Sequence, residues 1–189
     1  MSVDFAIARE HMVDSQIRPS DVTDLALIDA LRKAPRESLV SPDKAALAYA
    51  DAELNYAPGL FLMPPRDVAK LLQAIRPRAG ETALAIAAPY AALVLEIMGL
   101  KVTQAAPDAV VSRRGGYDVI VSEGAVSEVP EAWVKALAVG GRMGLVQRQG
   151  PIGRALLVSR SEAGAGSRPV FDAAPRFLPG FAPRPAFIF

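Results

Sequence analysis

The second half of the chain does most to limit what it can fold into. From Gly80 onward, short apolar runs alternate with longer amphipathic ones. Ala83–Ala87 (ALAIA), Lys101–Gln104, Asp118–Ser122 (DVIVS), Arg142–Gln147 and Ala155–Ser159 (ALLVS) have the length and apolar content of strands. Unbroken apolar runs such as ALAIA suit strands covered on both faces. Between them, Tyr90–Met98 and Pro130–Ala138 have the length of helices. Gly140-Gly141 is expected to end the second helix, and the turn Gly150-Pro151-Ile152-Gly153 to fold the last two strands into a hairpin. Strand–helix alternation followed by a hairpin predicts an open α/β sheet, mostly parallel, with ligands placed at the carboxyl ends of its strands.

The first 78 residues carry a different pattern. Residues 4–16 present Phe5, Ala8, Met12 and Val13 near a helical period, and Pro19 stops that run. Asp24–Lys33 is a second helix with Leu25, Leu27, Ile28 and Leu31 on its apolar face; Ser20 or Asp21 is its expected cap, and Pro35 closes it. Ala45–Ala50 is a short helical turn, and Leu54–Pro65 reads as a loop because it holds Pro58-Gly59 and Pro64-Pro65. Asp67–Ile75 is a third amphipathic helix. The whole is read as one domain. Residues 1–78 form a helical cap and loop, 79–160 the sheet core, and 161–189 a tail. In that tail Ser161–Ser167 is a flexible link, while Val170–Asp172 and Pro185–Phe189 add edge pairing.

Composition excludes several chemistries. The chain has no cysteine and one histidine, which leaves no thiolate site, no disulfide and no multi-histidine metal site. Lysine and arginine number 21 against 20 acids, so the net charge of +1 gives no electrostatic reason to expect nucleic acid. The uncharged run 82–95 is shorter than the roughly 20 residues that span a bilayer and is divided by Pro89. The N-terminus lacks a secretory pattern, and a cytoplasmic protein is expected. His11 with Ser15 one turn on reads as a surface pair, Arg113-Arg114-Gly115-Gly116 as a solvated turn, and Trp133 as a residue buried against the sheet. Glu123 follows a strand at the ligand-facing edge, as a solvated acid, a helix-cap partner or a functional group.

Three blocks resemble the protein-L-isoaspartate O-methyltransferase family: MVDSQIRPSDVTD with LRKAPRESLVSPDKAALAYAD, then YDVIVSEGAVSEVPEAWVKALAVGGRMGLV, then PVFDAAPRFLPGFAPRPAFIF, which is similar to the tail of a bacterial branch. The resemblance implies a Rossmann-like class I methyltransferase fold and S-adenosylmethionine-dependent methylation of isoaspartyl carboxyl groups. It also marks where this chain departs. The family pattern has an acid and a glycine-rich turn after the first core strand; here the matching residues are Ala85, Ile86, Ala87, Ala88, Pro89 and Tyr90. Glycine lets a ligand approach the backbone, whereas proline removes a donor and fixes φ. The acid expected at the end of the next strand is replaced by the stretch Thr103-Gln104-Ala105. Only residues 105–116 then precede the DVIVS strand, too few for a further strand with its helix, so the sheet is expected to be shortened at that edge. Phe61 and Met63 stand where the family carries hydroxyl residues in its substrate loop, and Pro65 keeps the pattern.

These departures lead to three expectations. The vestigial pocket of Ala85, Ala87, Ala88, Pro89, Tyr90, Gln104 and Glu123 is filled by the Tyr90 ring or the Met63 loop. No catalytic residue, metal or cofactor is retained, so the protein acts through another protein or self-association; its 51% hydrophobic content hints at shared apolar surface. The alternative is an active S-adenosylmethionine-dependent enzyme with a reshaped site that relies on Glu123.

Overall fold

The computed structural model describes residues 4–109 and 116–183. Its centre is a six-stranded sheet built from β3 (Thr82–Ile86), β4 (Lys101–Ala105), β5 (Tyr117–Val126), β6 (Leu137–Gln149), β7 (Ile152–Ser161) and β8 (Gly164–Asp172). Their spatial order is β4-β3-β5-β6-β7-β8. The pairs β4–β3, β3–β5 and β5–β6 are parallel, and β7 runs antiparallel to both β6 and β8. Among the described residues β4 is one edge of this sheet and β8 the other; an edge at β4 agrees with the shortening expected there. A separate antiparallel hairpin, β1 (Leu54–Ala57) and β2 (Leu60–Leu62), precedes the sheet.

Alternate residues of β3 face opposite layers, as the pleat requires. Ala83 and Ala85 enter the larger core, with Leu27, Leu31, Leu72, Tyr90 and Val94; Leu84 and Ile86 enter the smaller one, with Ile120, Trp133 and Met143. The helices α1 (Phe5–Met12), α2 (Leu25–Lys33), α3 (Pro65–Ile75) and α4 (Pro89–Ile97) supply the larger core, and α5 (Glu131–Ala136) covers the other face. Small residues set the approach on the helical side. A methyl added to Gly144 of β6 would lie 2.7 Å from Ile75 Cδ1 and 2.8 Å from Leu71 Cγ, so α3 rests directly on that backbone. Trp133 is buried as expected.

Several expectations are corrected. The cap of α2 is Asp24 itself, whose carboxylate accepts from the amides of Ala26 and Leu27; neither Ser20 nor Asp21 serves. The run from residue 4 narrows to α1 and continues through a π turn, Val13–Ile17. The stretch Leu54–Pro65 is the β1–β2 hairpin, since Pro58-Gly59 forms its turn, and α3 starts at Pro65, two residues earlier than the apolar period suggested. Gly140-Gly141 lies within β6, where the strand replaces the last helical turn. Ser161–Ser167 is no loose link: Gly164 begins β8, and Ser161 pairs with Gly164. The edge pairing expected of Val170–Asp172 is present in β8. The tail Pro185–Phe189 and Arg113–Gly115 lie outside the described residues.

Candidate functional site: the junction after the first core strand

The β3–α4 junction turns without glycine. Ala87 takes a left-handed φ of 47°, a conformation that costs a residue with Cβ roughly 1–2 kcal/mol. Its amide donates to the carbonyl of Ala105 at 2.8 Å, tying the turn to β4. Pro89 opens α4, where a missing amide hydrogen costs nothing. The next two amides, of Tyr90 and Ala91, need an acceptor, and the cap residue Ala88 has no side chain to offer one.

Glu123 supplies it from β5. Its Oε1 accepts from the amides of Tyr90 and Ala91, each at 2.9 Å, and its Oε2 accepts from the amide of Met63 at 3.0 Å. The residue is 1% exposed, so the helix-cap alternative for Glu123 holds and the solvated one does not. Burial pushes its carboxyl above the usual range, against the pull of Arg36 and the amides of Ala91, Met63 and Tyr90. Arg36 is equally buried. Its Nε donates to the carbonyl of Ala48 at 2.8 Å and its Nη2 to that of Met63 at 2.7 Å, and its guanidinium carbon lies 4.5 Å from the Tyr90 ring centre. Burial works against its charge, and the field of Glu123 supports it. Glu123, Tyr90, Met63 and Arg36 therefore form one packed unit that joins β5, α4, β2 and the segment after α2. The Oη of Tyr90 and the Nη1 of Arg36 are buried in it without a hydrogen-bond partner.

The mouth above this unit is covered as well. Gly124 has φ 126°, and a methyl there would meet Leu178 Cδ2 at 2.7 Å. The C-terminal segment runs beside β5: the amide of Ala125 donates to Arg176, and that of Leu178 to Ala125, each at 2.8 Å. Arg176 stacks 4.5 Å from the Phe61 ring centre, and its amide donates to Glu53 at 2.8 Å. Burial, with Glu123's charge adding to it, pushes the Tyr56 hydroxyl up to about 12.

Of the residues singled out in sequence, Ala85, Ala87, Ala88, Tyr90 and Glu123 are all buried at this junction. The Tyr90 ring and Met63 are both fully buried there. Gln104 stands across from Ala85 on β4 but is exposed. Met63 is fully buried, Phe61 is half-buried beneath Arg176, and Pro65 begins α3. His11 and Ser15 stay on the surface, where the Ser15 hydroxyl donates to the His11 carbonyl at 2.7 Å. Arg36 was not singled out; only its place in the block LRKAPRESLV pointed to it. Among the described residues no group of acids or histidines could hold a metal, and no helix is long and apolar enough to cross a membrane.

Comparison with known proteins fits this architecture. No protein-family model matches the chain. The chain is 33% identical to a protein-L-isoaspartate O-methyltransferase of Methylorubrum populi, an alignment that covers 83% of this chain and 86% of the relative. It is 32% identical to the protein of the same name from Methylorubrum extorquens, over 85% and 82% of the two chains. A putative protein-L-isoaspartate O-methyltransferase from Plasmodium falciparum, solved with S-adenosyl-L-homocysteine, superposes with a TM-score of 0.73 over 94% of this chain and 99% of that one, at 13% identity. The sheet is thus that of a Rossmann-like class I methyltransferase. On the strength of the bacterial relatives, the chain belongs to the protein-L-isoaspartate O-methyltransferase family.

Proposed function

We propose that this family member keeps the fold with its cofactor crevice closed by its own side chains, and acts through contacts with another protein or a second copy. One observation carries the reading: the Glu123 carboxylate occupies the free amides of the α4 N-terminus, beneath a buried Tyr90 ring. The residues present do not fit S-adenosylmethionine. Ala85 brings a methyl group into the core where the family pattern has an acid, and Pro89 and Ala87 replace the flexible glycines. A hydrogen bond to a charged group is worth roughly 1.5–3 kcal/mol, so two missing carboxylates remove about 3–6 kcal/mol. That is on the order of 10²–10⁴ in affinity, enough to move a micromolar ligand to millimolar or weaker.

A second reading is the family's own activity, methyl transfer from S-adenosylmethionine to isoaspartyl carboxyl groups. The comparisons favour it over the first: the bacterial relatives carry that enzyme's name, and nothing in them indicates that activity has been lost. Nor do they support the expectation that no cofactor is used. This reading requires the Glu123 unit to open.

Transfer of a radiolabelled methyl group to an isoaspartyl peptide separates the two. The first reading predicts no transfer even with the enzyme in excess over the peptide. Catalytic turnover overturns it and establishes the second.

A further inference from the structure

We propose that the amino end of the parallel strands, remote from the β3–α4 junction, carries a binding site for a multiply charged phosphate anion of nucleotide size. A cleft of about 710 Å³ opens there between the turn before α2, the end of α3 and β8. Lys70, Arg76, Arg78 and Arg168 line it. Arg76, Arg78 and Arg168 also line a smaller groove of about 340 Å³ beside it, so these three guanidinium groups belong to one surface.

Four cations line the cleft against two carboxylates, Asp21 and Asp24, so positive charge is in excess there. Arg76, Arg78 and Arg168 are exposed, and among the described residues none of their side chains makes a hydrogen bond or ion pair. The neighbouring Arg142 is already matched by Glu81, at 2.9 and 3.0 Å. Asp21 and Asp24 are the acids that line the cleft, and the Asp24 carboxylate is committed to the amides of Ala26 and Leu27. A chain with net charge +1 thus gathers four cations around one concavity. Like charges held this way repel, and a bound anion relieves that repulsion.

The walls are fixed in advance. Gln73 accepts from the amides of Thr23 at 2.6 Å and Asp24 at 3.1 Å, and donates to the carbonyl of Asp21 at 2.8 Å, which pins one side. Arg142 donates to the carbonyls of Ile75 at 3.0 Å and Arg76 at 2.8 Å, which pins the other. It thereby holds Arg76 in its left-handed conformation, φ 54°. Lys70 is steadied by the Phe171 ring, 4.7 Å away. Planar guanidinium forks pair bidentately with phosphate oxygens, so three of them suit a di- or triphosphate better than a single carboxylate. The volume lies in the ordinary range of small-ligand sites, about 300–1,000 Å³.

Calorimetric titration of the full chain with inorganic triphosphate at about 50 mM salt tests this, since charge-driven binding is strongest at low salt. The expected result is a submillimolar dissociation constant that weakens as salt rises. The Arg78→Gln/Arg168→Gln double variant should weaken it by about tenfold or more. Lys135→Gln, on α5 at the other face of the sheet, should leave it unchanged. Absence of binding, or binding that survives the double substitution, overturns the proposal. So does capture of a single-stranded oligonucleotide through the same arginines without any binding of triphosphate.

Discussion

Replacing Glu123 tests whether the junction is built as described. Glu123→Ala removes the acceptor of three buried amides and leaves Arg36 buried without its opposing charge. A buried donor left without its acceptor costs about 1–3 kcal/mol, and the amides of Met63, Tyr90 and Ala91 would all be left so. A domain of this size has roughly 5–15 kcal/mol in all, so the variant should be barely folded. Glu123→Gln keeps the shape and one acceptor, but it turns an amide group toward the Met63 amide and drops the charge; about 1–3 kcal/mol should be lost. Trp133 is the chain's single tryptophan and is buried, so its fluorescence reports urea unfolding directly. The midpoint should fall in the order parent, Gln, Ala, with the slope unchanged for Gln. Glu131→Ala, which loses only an exposed ion pair with Lys135, should leave the midpoint close to the parent's. An alanine variant within about 1 kcal/mol of the parent would refute the claim that Glu123 holds α4, β2 and β5 together.

Gly124→Ala forces a methyl onto Leu178 at a φ of 126° and should destabilise by about 1–3 kcal/mol, with Leu178→Ala relieving the clash but not the backbone strain; a double-mutant cycle in urea reads both. Asp24→Ala removes the cap of α2 and should cost about 1 kcal/mol in the same assay, whereas Ser20→Ala should leave the cap untouched. Asp118 is held below its ordinary 3.8 by the Thr82 amide and then by the Thr82 hydroxyl, each at 2.8 Å. A depressed folded value means that its contribution is complete above 3.8 and disappears as pH falls through the lower, folded value. Melting temperature should therefore drop on acidification below about pH 4 less steeply in Asp118→Asn than in the parent.

The sheet was legible because its signals are local. ALAIA and DVIVS are strands by composition, and their spacing with Tyr90–Met98 between them leaves a parallel pair as the simplest arrangement. The hairpin at Leu54–Leu62 was not legible, since Pro58-Gly59 marks a loop and a hairpin turn equally well. The first half of β8, Gly164–Ser167, failed for a related reason: a run of glycine, alanine and serine has no apolar alternation, and its strand exists because β7 offers an edge. At the junction, the absence of glycine and acid from residues 85–90 could be read directly. The meeting of Glu123 and Arg36 on Met63, 87 positions apart, could not, because nothing local specifies such a long-range contact. The basic cleft was hidden in the same way: Lys70, Arg76, Arg78 and Arg168 come from separate elements, and the even overall charge masks their gathering.

Calorimetry with S-adenosylmethionine and S-adenosyl-L-homocysteine puts the proposed closure of the crevice to its most direct test. With Ala85, Tyr90 and Glu123 packed as they are, neither compound should give saturable heat below millimolar concentration. A dissociation constant in the low micromolar range would contradict the account and return the chain to the working enzymes of its family.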